Sequence, residues 1–139
     1  QGPFRRLGHR ILSSNRTIPP IAAAGLRDLL LLFCGRRLLL RIEGRSMQPT
    51  LEPGDRVLVR RLNSNSTLHL GSVLVTWHPQ RSDIRLIKRL NRIEPNGLWL
   101  LGDNQAESTD SRQLGTVATS LLIGEVVARL TTRGSEQDR

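Results

Sequence analysis

The stretch Ile84–Leu101, IRLIKRLNRIEPNGLWLL, decides the fold. Its first part, Ile84–Ile93, carries apolar side chains at alternating positions, and its last part, Leu98–Leu101, is apolar throughout. A period of two is typical of a strand, and the turn-forming residues around Asn96-Gly97 predict a hairpin between the two parts. The stretch therefore indicates antiparallel β structure.

Further segments of the same kind lie on both sides of this hairpin, separated by Gly, Pro, Asn and Asp. We expect strands at Leu38–Glu43, Arg56–Arg60, Ser72–Trp77 and Leu122–Leu130. Leu and Ala at helical spacing predict a short helix from Ile21 to about Arg37. The prediction is a mainly β protein: a basic arm and short helix over residues 1–37, a compact catalytic β domain over 38–131 and a polar tail over 132–139.

Charge is distributed unevenly along the 139 residues, which fit one domain. The net charge is +9, and residues 1–45 hold nine Arg against two acidic residues. Such an arm can contact an anionic membrane or an acidic partner. No aromatic-studded basic strand or recognition helix accompanies it, so we expect no nucleic-acid binding. Arg27 and Asp28 separate the apolar stretches Ile18–Leu26 and Leu29–Cys34, and prolines break the first, which predicts a cytoplasmic protein, at most peripheral to a membrane.

Cysteine and histidine give no indication of a metal or other cofactor. The single cysteine, Cys34, excludes an internal disulfide, and its apolar surroundings predict a buried, inert thiol. His9, His69 and His78 are scattered without metal-ligand spacing. We therefore expect neither a metal nor a cofactor.

The segment Glu43–Asp55, EGRSMQPTLEPGD, contains a candidate nucleophile. Ser46 follows a predicted strand and a glycine. A serine in a tight turn after a strand can expose its hydroxyl and offer backbone N–H groups to an oxyanion. Taken alone, this would be an ordinary loop serine.

Lys88 is the one lysine in a chain that has twenty arginines. Arginine serves as well in salt bridges but does not lose its proton near neutral pH, so a reaction that needs a deprotonatable amine has this position alone. Ile84, Leu86 and Leu90 share its strand face, and apolar surroundings lower the pKa of an amine. The alternative is an edge-strand lysine that blocks aggregation.

A third segment, Leu101–Gly115, reads LGDNQAESTDSRQLG and is dense in turn-forming and hydrogen-bonding residues. Asp110 stands two residues before Arg112. By itself the segment would be a polar loop with a local ion pair.

Together the three segments resemble the bacterial type I signal peptidase family, the serine/lysine-dyad proteases. The resemblance runs from about residue 42 to 128 and rests on the order and wording of the segments SMQPTL (46–51), PGDRVLV (53–59), Lys88-Arg89 and GDN (102–104) followed by Ser108, Asp110, Ser111, Arg112 and Gly115. It implies a signal-peptidase or SOS-repressor-like β-fold.

The resemblance also implies roles for individual residues. Ser46 would attack the scissile carbonyl, and Lys88 would take its proton. In the same scheme Ser108 holds the lysine amine, the backbone N–H of Ser46 binds the oxyanion, Met47 packs near the substrate cleft, and Asp103, Asp110 and Arg112 brace the loop. Many bacterial members add a serine hydroxyl two residues before the nucleophile, where this chain has Gly44.

Size narrows the resemblance. No membrane anchor is recognisable before Ser46, and only thirteen residues separate Lys88 from Gly102. In these respects the chain is similar to the small maturation proteases of nickel-type superoxide dismutase. The implied substrate is then a protein propeptide, with the superoxide dismutase precursor as the specific candidate.

Three other interpretations remain open. The basic arm and Leu-rich helix suit a signal peptidase docked on anionic lipid. Ala22-Ala23-Ala24-Gly25 could be the cleavage site of a self-cleaving, repressor-like regulator, although residues 1–20 are short for a DNA-binding domain. A non-enzymatic binding domain is the third. Within the enzyme class, His78 is a rival candidate for the general base.

Overall fold

The computed structural model describes residues 25–27, 30 and 34–130. Six strands form one antiparallel sheet: β1 (Arg37–Arg41), β2 (Arg56–Arg61), β3 (Val73–Trp77), β4 (Arg85–Glu94), β5 (Gly97–Leu101) and β6 (Leu122–Leu130). The helical elements among residues 34–130 are short: α1 (Ser111–Leu114) and two single 3-10 turns, Gln105–Glu107 and Thr119–Leu121. The prediction of a mainly β fold is confirmed.

The strand order in the sheet is β1-β2-β6-β3-β4-β5. The last strand therefore lies between β2 and β3, where it pairs antiparallel with both. This placement joins two hairpin-like halves, β1-β2 and β3-β4-β5, into a single sheet. It also puts β4, which carries Lys88, in the half of the sheet that does not contain the Ser46 turn.

Apolar side chains pack in two clusters. Val73 and Val75 of β3 join the cluster that contains Val57 and Val59, whereas Leu74 joins a second cluster with Leu90, Leu98 and Leu100. Since successive side chains of a strand point to opposite faces, the two clusters cover opposite faces of β3. Burial of these side chains stabilises the fold by roughly 25 cal/mol for each Å² of apolar surface that is removed from water.

The β4–β5 hairpin differs from the predicted turn by one residue. Glu94 pairs with Gly97, so the loop consists of Pro95 and Asn96. Gly97 has φ +148°, and a Cβ on it would lie 2.9 Å from the carbonyl carbon of Val117. The glycine is therefore needed for the close approach of Val117, whose backbone exchanges two hydrogen bonds of 2.8 Å with Leu98.

Sequence interpretation was less complete at the N-terminal end. Most of the predicted helix and all of residues 1–20 and 132–139 lie outside the described residues, although Leu26, Arg27 and Leu30 have helical backbone. The prediction of a buried Cys34 is wrong, because that side chain is exposed. It lies in the turn that ends this segment, with its N–H donating to the Leu30 carbonyl at 3.1 Å, and the turn does not reach either apolar cluster.

Candidate active site

Ser46 lies in a turn that follows β1. Backbone pairing continues past the strand ends, since the N–H of Ile42 donates to the Asp55 carbonyl at 2.8 Å. After Ser46, Met47 and Leu51 are buried in the first apolar cluster, and the N–H of Leu51 donates to the Met47 carbonyl at 2.9 Å. Two apolar anchors thus hold a polar turn on the sheet and leave the serine half-buried rather than fully exposed.

Lys88 lies on β4 directly opposite Leu74 of β3 and is only 5% exposed. Its Nζ lies 2.7 Å from Ser46 Oγ, within hydrogen-bonding distance. Burial lowers the pKa of Lys88 because the charged form loses its hydration, and the negative charge of Asp110 opposes this effect in part. The structure therefore places an amine with a lowered pKa against a serine hydroxyl.

Asp110 is the charged centre of the loop that follows β5. Its carboxylate accepts hydrogen bonds from the Gly102 N–H at 2.9 Å, from the Ser108 hydroxyl at 2.7 Å and from Arg112 Nε at 2.9 Å. Burial acts to raise the pKa of Asp110, but these donors together outweigh it and lower the pKa to about 2. Asp110 also caps α1 through the Arg112 N–H.

Ser108 is placed differently from the resemblance-based expectation. Its hydroxyl donates to Asp110 Oδ2, whereas the hydrogen bond described for the Lys88 amine is to Ser46. The single hydroxyl proton of Ser108 is used in the hydrogen bond to the carboxylate, a strong acceptor, so this side chain could bind the amine only as an acceptor. Ser108 is also packed against Gly102, where an added Cβ would collide with its side chain.

Asp103 has partners that sequence reasoning did not identify. Arg89, the neighbour of Lys88, donates from Nε and Nη2 to the two carboxylate oxygens, each at 2.9 Å. Thr50, in the Ser46 turn, donates its hydroxyl to Asp103 Oδ2 at 2.6 Å. Thr50 and Arg89 both lie inside the quoted motifs, and this was the one available signal for them.

A groove of about 550 Å³ runs past the two reactive groups. One wall is formed by residues 40–44 together with Ser46 and Met47, and the other by residues 83–88. Among the described residues, β1 pairs with β2 alone, and the pairing of β4 with β5 starts at Arg89. Within residues 34–130, both walls therefore present strand edges that have no neighbouring strand on the groove side.

Gly44 lines this groove, and a Cβ added to it would meet nothing within 4 Å. The position thus has room for a side chain but supplies no side-chain donor. His78 lines a different pocket with Trp77, and its Nδ1 accepts the Gln80 N–H at 3.0 Å. The structure brings Lys88, not His78, to Ser46.

In the part of the chain that the structure describes, no three His, Cys, Asp or Glu residues are grouped as a metal site would require. No helix within the same ranges combines the length and the apolar character needed to cross a bilayer.

Comparison with known proteins agrees with this geometry. The profile of the family described as Peptidase S24-like matches residues 26–127. The chain is 32% identical to mitochondrial inner membrane protease subunit 2 of Schizosaccharomyces pombe, over 64% of this chain and 62% of that relative. It is 30% identical to subunit 1 of Xenopus tropicalis, over 63% and 65% respectively. The chain thus spans somewhat less than two thirds of the length of these relatives.

Proposed function

Because the chain belongs to the Peptidase S24-like family, we propose that it is a serine endopeptidase with Ser46 as nucleophile and Lys88 as general base. The observation that supports this most directly is the 2.7 Å separation of Lys88 Nζ from Ser46 Oγ. A general base must reach the proton that it removes, and its unprotonated form must be accessible near the working pH. The contact with Ser46 supports the first requirement, and the lowering of the Lys88 pKa by burial supports the second.

The reaction follows from the two groups. Neutral Lys88 takes the proton of Ser46 Oγ as the oxygen attacks the scissile carbonyl carbon, which gives a tetrahedral oxyanion. The ammonium formed on Lys88 then protonates the leaving amine as the C–N bond breaks, and an acyl-serine remains. Water, deprotonated by the same amine, attacks the ester carbonyl and releases the acid product and Ser46.

For the oxyanion we propose the backbone N–H of Ser46 as one donor. Gly44 leaves the neighbouring wall without a hydroxyl, so the second donor is a backbone N–H or water. One oxyanion-hole donor contributes about 2.7–4 kcal/mol in serine proteases.

The groove suggests how a substrate is held. Two strand edges without a neighbouring strand among the described residues face it, and an extended peptide can pair with such an edge by adding a strand. Met47 lines the groove at the catalytic end, where its buried side chain forms an apolar base for the groove near the scissile bond. An unfolded segment such as a leader or propeptide fits this mode better than a folded domain.

We propose an N-terminal leader or propeptide of another protein as the substrate. The relatives named above are mitochondrial inner membrane proteases. Their names support the proposal of a processing protease that acts beside an anionic membrane. The more specific proposal is a cytoplasmic enzyme acting on the nickel-type superoxide dismutase precursor, and the short connection of thirteen residues between Lys88 and Gly102 supports it. Co-expression with that precursor, followed by N-terminal sequencing, shows whether the enzyme cuts the superoxide dismutase precursor or leaves it intact, in which case the substrate is the leader or propeptide of a different protein.

The catalytic proposal is tested with purified protein and a proteome-derived peptide library, read by mass spectrometry. We expect cleavage by the wild type and a loss of about 10⁴-fold or more in Ser46→Ala. Ser64→Ala, in an exposed loop, is the matched control and should cleave as the wild type does. Equal cleavage by the Ser46 variant would show that Ser46 is not the nucleophile. No cleavage by the wild type would leave a binding domain as the better interpretation, and a self-generated cut near Ala24 would favour the repressor-like regulator.

A further inference from the structure

A polar cluster beside the Ser46–Lys88 pair has no step in the proposed reaction. Asp103 is its centre, with a side chain only 4% exposed. It accepts the Thr50 hydroxyl at 2.6 Å and two hydrogen bonds from Arg89 at 2.9 Å. A third nitrogen of Arg89 donates to the Gly71 carbonyl at 2.6 Å. The cluster joins four segments that are distant in sequence, around Thr50, Gly71, Arg89 and Asp103.

The geometry relates these segments to the two reactive groups. Arg89 is adjacent to Lys88 on β4, and Thr50 lies four residues after Ser46 in the same turn. Asp103 therefore contacts both the strand that carries the amine and the turn that carries the hydroxyl.

Two consecutive residues, Asp103 and Asn104, bind the turn at its two ends, Thr50 and Ser46. The N–H of Asn104 donates to the Ser46 carbonyl at 2.8 Å, and Asp103 binds the Thr50 hydroxyl. In addition, Arg129 Nη1 of β6 donates to the Thr50 carbonyl at 3.0 Å. Thr50 is thus fixed through its hydroxyl and its backbone, although it contributes nothing to the wall of the groove.

We propose that Thr50 is a positioning residue, which sets the distance between Ser46 Oγ and Lys88 Nζ through Asp103 and Arg89. This proposal rests on the proposed function for its meaning in catalysis. Apolar burial of Met47 and Leu51 fixes the turn on the sheet, but apolar contacts are weakly directional. Charge-assisted hydrogen bonds to a carboxylate are short and directional, and so define the last fraction of an ångström.

The test compares Thr50→Val with Thr50→Ser in a quenched peptide built on the best-cleaved library sequence. Valine keeps the shape and removes the donor, whereas serine keeps the donor. We expect kcat to fall about tenfold in Thr50→Val with KM unchanged, since a displacement of about 1 Å costs on the order of 100-fold and the apolar anchors remain. Thr50→Ser should retain most of kcat, and Thr67→Val, in an exposed loop, should match the wild type.

A double-mutant cycle with Asp103→Asn tests the route. If Thr50 acts through Asp103, the double variant loses no more kcat than Asp103→Asn alone. Additive losses, an unchanged kcat in Thr50→Val, or a raised KM alone would each overturn the proposal. Melting temperatures show whether a variant is folded, and a fall in stability without a fall in kcat well below the melting point also counts against it.

Failure of the proposed function gives a different result. In that case the wild type itself cleaves no peptide. The positioning proposal is then decided by crystal structures of the wild type and Thr50→Val: a longer Oγ–Nζ distance in the variant supports it, and an unchanged distance overturns it.

Discussion

Lys88 and Arg89 are adjacent on β4, but the groups that surround their two cationic side chains differ in charge. The Arg89 guanidinium is held by a carboxylate and a carbonyl, so its positive charge is compensated. The Lys88 amine is more deeply buried, and the hydrogen-bond partner described for it is the neutral Ser46 hydroxyl. The carboxylate that influences it most, Asp110, is already bound by Arg112, Ser108 and the Gly102 N–H.

One strand thus carries a fixed cation next to a titratable one. A buried cation with a carboxylate partner stays charged, whereas a buried amine beside a hydroxyl has a lowered pKa. Residue type reinforces the contrast, because arginine does not deprotonate and lysine does.

Lys88→Arg should have the largest effect. We expect a loss of about 10³-fold or more in kcat/KM, because guanidinium cannot act as a base. In the wild type kcat/KM should rise with pH as the amine deprotonates, and it should level off below the ordinary lysine pKa of 10.5. Peptide cleavage measured from pH 6 to 10 tests both points.

Arg89→Lys is the matched exchange at the neighbouring position. Lysine keeps the charge but not the bidentate contact, so we expect a loss of about tenfold or less. Equal losses in the two variants, or an active Lys88→Arg protein, would show that the two cations do not differ in the way described.

Asp110→Asn should have an intermediate effect, on stability in acid. The Asp110 pKa is lowered from 3.8 to about 2, so the charged form stabilises the fold above pH 3.8, and this contribution is lost as the pH falls towards 2. The wild type should lose roughly 2 kcal/mol of unfolding free energy over that range through this group. Asparagine removes that part of the pH dependence.

Urea unfolding at several pH values between 2 and 5 measures the effect. Asp83→Asn, at an exposed aspartate, is the control. If the unfolding free energy of Asp110→Asn depends on pH in the same way as that of the wild type, then the Asp110 carboxylate does not have the lowered pKa described above.

Much of the fold was predictable because local alternation determines strands. The first and last residues of each of the six strands differ by at most two positions from those of a predicted segment. For β6 the predicted and observed bounds are identical. The sheet order was not predictable, since the insertion of β6 between β2 and β3 depends on long-range packing. The turn at Pro95 and Asn96 was displaced by one residue because the close approach of Val117 at Gly97 is a tertiary contact.

The candidate site shows the same division. Sequence identified Ser46 and Lys88 from their motifs and from the rarity of lysine, and the structure places the two side chains in contact. The direction of the Ser108 hydroxyl and the partners of Asp103 could not be predicted. Hydrogen-bond partners are chosen among groups that only the folded chain brings together.

Thr76 gives the smallest expected effect and extends the contrast to a buried polar group away from the active site. It is fully buried on β3, and its Oγ1 has no hydrogen-bond partner among the residues described. An unpaired buried hydroxyl costs free energy, so isosteric Thr76→Val should stabilise the protein by about 1 kcal/mol and raise its melting temperature. Thr109→Val, at an exposed threonine, should change neither value. A destabilised Thr76→Val protein would mean that the hydroxyl has a hydrogen-bond partner in solution. Buried polar groups outside the active site would then be hydrogen-bonded as completely as the Arg89 guanidinium is.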